Sequence, residues 1–202
     1  MDCSNDVYAL SNASEIERRM ALLNEPHMTA LVSYLEDLEA AARPSIKVPY
    51  FDPCDGGVNA KALFLLESPG PKVLGTNYIS RNNPDDSARN MSDLLAKAKL
   101  ARQDTLLWNI VPWYLGRTPT TEDVRQASPH LKSLLPLLPN LQVVVLVGQK
   151  AWKGERAVVE SGVAPALKTY HPSPKNFNPR PYMRDMVQAS FDLASRLVSL
   201  SA

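Results

Sequence analysis

The sequence predicts an α/β protein, a three-layer α/β/α sandwich around a central, mostly parallel four-stranded sheet. Three observations carry this expectation. Four short apolar runs, each closed by turn-forming residues, are spread over residues 60–170. Stretches with helical periodicity lie between them. Strands that alternate with helices favour parallel pairing, because a parallel neighbour is reached only by a crossover, and the crossover helix then covers the sheet.

The elements follow in order. Over residues 14–42, Ile16, Met20, Leu23, Leu31, Leu35 and Leu38 recur at helical spacing. One or two amphipathic helices are expected there, since Pro26 removes a backbone donor in mid-pattern. Residues 44–57 include PYFDPCDGG and read as a turn-rich loop expected at the surface. The run AKALFLLE, residues 60–67, is apolar at nearly every position and stops at ESPGP. That is the pattern of a strand buried on both faces. TLLWNIV (105–111), QVVVLVG (142–148) and the shorter ALKTY (166–170) repeat it. Helices are expected over 87–101, 121–138, 149–160 and 184–199, the last from Met186, Val187, Phe191, Leu193, Leu197 and Val198.

Composition bounds the function. The chain has 202 residues, 45% hydrophobic and 21% charged. A domain of this size buries roughly 70% of its unfolded surface, so one core suffices. The expectation is a single domain over residues 1–202, with residues 1–45 as a helical N-terminal extension, in a monomer. No window approaches the roughly 18 apolar residues of a membrane span, so no membrane partner is expected. MDCSNDVYAL has neither the basic nor the apolar part of a secretory signal, which predicts a cytoplasmic protein. Cys3 and Cys54 are the only cysteines. They are too few for a thiolate-built centre and are expected as free thiols, with no metal and no cofactor. A net charge of +1 conceals an asymmetry: residues 1–44 carry eight acidic and three basic groups, whereas residues 145–184 carry seven basic and two acidic ones. An anionic partner would meet the later segment, although imbalances of this size are as common on solvated surfaces without a partner.

In an open parallel sheet, ligands bind outside the carboxyl ends of the strands. Here those ends read Glu67-Ser68-Pro69-Gly70-Pro71, Asn109-Ile110-Val111-Pro112, Gly148-Gln149 and His171-Pro172-Ser173-Pro174. ESPG, LLWN, VVVLVG and HPSP, taken in that order over about residues 60–185, resemble the signature series of the uracil-DNA glycosylase superfamily. The first motif is closest to the GEAPG form of that superfamily's iron-sulfur branch, and NIVPWYLGRTPTTEDV resembles the same branch. The branch's four cluster cysteines are missing, and Trp113 lies near the place of one.

The resemblance implies an enzyme of DNA repair that extrudes one base and hydrolyses its glycosidic bond. It further implies that Glu67, Asn109 and His171 converge around one base-sized cavity. Asn109 would read the base, since a carboxamide sets an acceptor beside a donor and so matches uracil's N3–H and O4. His171, in a loop stiffened by Pro172 and Pro174, would donate to O2 as negative charge develops there. Glu67 would position the attacking water, with Ser68 standing where the best-known branch has its catalytic aspartate. Asp85 or Asp86 could supply the carboxylate instead, but an Asp near a helix start with Ser87 as cap is the more ordinary reading. Tyr78 would stack on the base, with Pro69, Gly70 and Ser173 also around it. Phe177 would act as a wedge in the base stack, and Lys175 and Arg180 would meet phosphates of single- or double-stranded DNA. His27 and His130 are read as ordinary surface or core histidines.

Overall fold

A computed structural model describes residues 6–41 and 48–200. Two helices open the chain, α1 (Ala13–Leu22) and α2 (Thr29–Ala41), separated by turns around Pro26 as the periodicity requires. There follow β1 (Tyr50–Phe51), β2 (Ala62–Leu66), the single turn α3 (Val73–Thr76), β3 (Tyr78–Ile79), α4 (Asp86–Lys97), β4 (Thr105–Asn109), α5 (Thr121–Leu134), β5 (Val143–Val147), α6 (Glu155–Ser161), β6 (Ala166–Thr169), the single turn α7 (Pro174–Phe177) and α8 (Tyr182–Leu200).

The four apolar runs form one sheet in the order β4-β2-β5-β6, parallel throughout. The side chains of β2, β4 and β5 are almost wholly buried because both faces are covered, while the edge strand β6 is partly exposed at Ala166, Leu167 and Lys168. α8 packs on β5 and β6 and against α4 on one face, bringing Phe191 onto Phe64 of β2 at 4.8 Å between ring centroids. On the other face α2 meets α5, and the Tyr34 ring of α2 contacts Phe51, which stacks on Trp108 of β4. The predicted sandwich is the observed one. Since β2 is central and its neighbours follow it in sequence on opposite sides, the chain reverses direction across the sheet there. A crevice opens at the carboxyl ends of β2, β4 and β5.

Two sequence expectations fail. The part of the 44–57 loop that is described, from Val48, is buried rather than superficial, and it contributes β1, which pairs with β3 in a separate two-stranded parallel sheet. What allows this is a set of distant arginines. Asp52 is fully buried, and its carboxylate meets Arg19 from α1 and Arg102, while Asp55 meets Arg81 and Arg102. Burial opposes ionisation of Asp52, but Arg102, Arg19, the Ser80 hydroxyl and the Cys54 N–H outweigh it and hold the carboxyl below its ordinary value. Such paired charges tolerate an interior that single ones would not. Cys54 is also joined in a disulfide, against the expectation of a free thiol, and Cys3 lies outside the described residues.

Helix boundaries differ in detail. The predicted helix 149–160 begins instead with a tight 3-10 turn, Ala151–Gly154, before α6. α5 runs through Pro129 and ends at Leu134, where another 3-10 turn takes over.

Candidate active site

The strands deliver their terminal residues to one edge of the sheet. Ile110 N–H donates to the Leu66 carbonyl and Val111 N–H to that of Glu67, so the chain after β4 stays zipped to the chain after β2. Gly148 N–H donates to Thr169 O at 2.8 Å, and the Trp152 indole N–H donates to the same carbonyl at 2.9 Å, which fixes the end of β6 just before His171.

Two hollows lie side by side at this edge. The first, about 410 Å³, is walled by Ser68, Pro69 and Gly70 after β2, by Ile79 and Ser80 from β3, by Asp85, Ala88 and Met91 of the α4 start, and by Asn109 and His171. The second, about 430 Å³, contains Glu67, Lys150, His171, Ser173, Lys175 and Arg180. The three residues expected around one cavity are thus divided. Asn109 and His171 face the first hollow, Glu67 and His171 the second, and the imidazole is the wall they share.

Asn109 is 4% exposed, and its Nδ2 has no hydrogen-bond partner among the described residues. An unpaired buried amide costs about 1–3 kcal/mol, so its persistence at a cavity wall marks a place for a ligand acceptor. His171 is pulled below the ordinary histidine value by burial, against the opposing fields of Glu67 and Asp85. It is therefore a neutral imidazole at neutral pH, able to donate one N–H without carrying charge into the cavity.

Glu67 is seated by the loop after β5. Its Oε1 accepts the Lys150 N–H at 3.2 Å and lies under Gly148, whose φ is 102°. A Cβ at 148 would come within 2.6 Å of that oxygen, so only glycine satisfies both the backbone and the carboxylate. Lys150, Lys175 and Arg180 surround the same hollow, and none of the three makes an ion pair among the described residues.

Other expected residues fall elsewhere. Tyr78 is fully buried and is absent from the cavity wall. Side chains alternate along a strand, and in β3 it is Ile79 that reaches the cavity, leaving Tyr78 to pack against Tyr50. No Phe, Tyr or Trp ring lines the first hollow among the described residues. Phe177 is 3% exposed and belongs to the core, with the Arg184 guanidinium 4.8 Å above its ring, so it is no exposed wedge. Asp85, rather than Ser87, caps α4, its Oδ1 accepting the Ala88 N–H at 2.9 Å, and it faces the cavity. Asp86 points outward to Arg89. Ser68, Pro69 and Gly70 line the first hollow, whereas Ser173, expected beside them around the base, lies in the second. His27 bonds the Pro53 carbonyl and His130 packs edge-on to Trp113, both ordinary structural roles.

Sequence reasoning missed Ser80, Asn83 and Met91 in the cavity wall, and Thr118, Gln149 and Lys150 in the second hollow. The polar run SRNNPDDSARN was the available signal for the first group. For the second group the signals were NIVPWYLGRTPTTEDV, which contains Thr118, and the end of VVVLVG, which Gln149 and Lys150 directly follow.

The parallel sheet, the hollow at its switch point, the orphaned carboxamide and the neutral histidine set the chain among α/β proteins that hold a ligand at the carboxyl ends of their strands. The chain belongs to the uracil DNA glycosylase superfamily, whose family model matches residues 51–193. Forty chains of solved structures also match. One is a mimivirus UNG variant in complex with UGI, 16% identical, with 81% of this chain and 78% of that chain covered and a TM-score of 0.44. The comparison with curated proteins returns no match. The branch of the superfamily that carries an iron-sulfur cluster offers no further guide to the site, since two cysteines cannot supply four thiolates.

Proposed function

We propose that the protein hydrolyses the N-glycosidic bond of uracil, or a related deaminated base, in DNA and leaves an abasic site. The observation that carries this reading is the buried, unpartnered Nδ2 of Asn109 in a cavity shared with His171. Uracil offers O4 to that donor and N3–H to the adjoining carboxamide oxygen. Cytosine offers the reverse pattern, a mismatch costing about 1–3 kcal/mol.

The extruded base enters the first hollow, and the sugar and its phosphates occupy the second, where Lys150, Lys175 and Arg180 supply unpaired positive charge. The C1′–N1 bond breaks with its electron pair going to the base. The imidazole of His171 donates to O2 and stabilises the anion without giving up its proton. Glu67, on the sugar side, orients a water whose oxygen bonds to C1′, and the carboxylate takes up the proton that water releases.

The test is uracil release from a deoxyuridine-containing oligonucleotide in the presence of chelator. Asn109→Ala and His171→Ala each lower the rate at least tenfold, a modest demand against the roughly 2.7–4 kcal/mol typical of losing an oxyanion donor. Wild-type rates in both variants overturn the assignment. A second reading, a different excised base, is favoured by the presence of Asp85 in the cavity wall, and a panel of single-lesion oligonucleotides decides between them. A lesion reader without catalysis would instead retain the DNA, in a salt-sensitive manner, and release no base.

A further inference from the structure

The loop that presents His171 has a particular weakness. Pro172 and Pro174 have no N–H, and although the Ser173 and Pro174 carbonyls accept backbone N–H bonds from Asn176, Phe177 and Asn178, no backbone donor reaches the His171 and Pro172 carbonyls among the described residues. Those two carbonyls need side-chain donors. Two carboxamides provide them on consecutive residues. Asn176 Nδ2 donates to the His171 carbonyl at 2.8 Å, and Asn90 Nδ2 donates to the Pro172 carbonyl at 2.7 Å. Asn176 is local, in the single turn α7. Asn90 comes from α4, 82 residues away in sequence, and is only 5% exposed.

Asn90 is no ordinary core residue. Asparagine is a poor occupant of a helix interior, where leucine or alanine would be better by several tenths of a kcal/mol. α4 carries it one turn beyond Asp85, Ser87 and Ala88 and next to Met91, all of which line the base cavity. The helix that forms one wall of the cavity is therefore bonded directly to the loop that carries the shared wall, His171.

We infer that Asn90 is a positioning residue. Assisted by Asn176, it holds the His171 loop against the cavity wall at the distance the leaving base requires. This rests on the reading of His171 as the donor to the departing base, and it adds a residue that contacts neither base nor sugar. The single bond from α4 sets the imidazole against the base, and a misplacement of the order of 1 Å is enough to cost about 100-fold in rate.

Asn90→Leu removes the donor at nearly constant volume, Asn90→Gln retains a donor on a longer arm, and Asn176→Ala tests the half-buried partner. Two readouts separate positioning from folding. Amide hydrogen exchange of the segment 171–178 is expected to rise at least fivefold in Asn90→Leu, with β5 and α5 unchanged. Single-turnover base release falls at least tenfold while the Kd for abasic product DNA stays within twofold, and Asn90→Gln recovers part of the rate. Should Asn90→Leu unfold, Asn176→Ala carries the same expectation at smaller amplitude. Unchanged exchange in 171–178, or an active wild type whose variants keep the full rate, overturns the inference. A wild type inactive on every lesion, with the exchange change still present, refutes the proposed function and leaves the bracing of the loop intact.

Discussion

Gly148→Ala puts the seat of Glu67 to a quantitative test. The added methyl would stand 2.6 Å from Glu67 Oε1 and 3.1 Å from its Cδ, far inside van der Waals contact, on a backbone with φ of 102°. Holding a residue with a side chain in such a conformation costs on the order of 1–3 kcal/mol. For a chain of this length that lowers Tm by about 2–12 °C. The carboxylate must also retreat by several tenths of an ångström, giving up the 3.2 Å bond from the Lys150 N–H that orients it. Displacement of Glu67, the proposed water-positioning group, on this scale costs up to roughly 100-fold in rate, with KM little changed because the first hollow, proposed for the base, is untouched. The informative assay is a double-mutant cycle in single-turnover base release at a temperature where all variants are folded. In the Glu67→Ala background the obstructed carboxylate is gone, so Gly148→Ala should cost stability there but almost no further rate. An equal loss of rate in both backgrounds, or full activity of Gly148→Ala alone, would refute the argument.

Further outcomes follow from the electrostatics. Arg19→Met leaves Asp52 buried with one guanidinium fewer, which breaks an interior ion pair at a cost of about 3–5 kcal/mol, visible as a large fall in denaturation midpoint. Because the Asp52 carboxyl is held below its ordinary value, its contribution is complete above the usual carboxylate range and is lost as pH falls through the lowered value, so the Arg19 variant should lose less stability than wild type on acidification. His171 also titrates below the ordinary histidine range. The base-release rate should then stay level as pH drops through 6.5 and decline only further down, when the imidazole becomes charged. Glu67→Gln removes a field that favours the charged ring and should move that decline lower still. A decline centred at or above 6.5 in the wild type would show that burial does not govern this group.

The layout of the sheet could be read in advance because its causes are local. A strand covered on both faces needs an unbroken apolar run, so Ala62–Leu66 and Val143–Val147 announce themselves, and Pro and Gly mark where they stop. The residues at those stops, Glu67, Asn109 and His171, were likewise open to inspection, since a parallel sheet collects its carboxyl ends on one side. Tyr78 and Phe177 misled for a common reason. Each is an aromatic residue at a suitable distance along the chain, but the parity of β3 and the packing under Arg184 turn both rings into the core.

Hydrophobic period and turn chemistry by themselves determined the fold class and the order of strands and helices along the chain, while the resemblance carried by ESPG, LLWN, VVVLVG and HPSP singled out Glu67, Asn109 and His171 as candidates. Tertiary structure alone decided that Asp52 and Asp55 lie inside, since their burial depends on Arg19, Arg81 and Arg102 arriving from elsewhere in the chain. It also decided that Glu67 and Asn109 face separate hollows with His171 between them, and that Asn90 braces the loop beyond it. The division has one physical basis. Backbone and burial preferences are properties of neighbouring residues, whereas the pairing of a buried charge or an unsatisfied carbonyl is settled only when remote segments are brought within hydrogen-bonding distance.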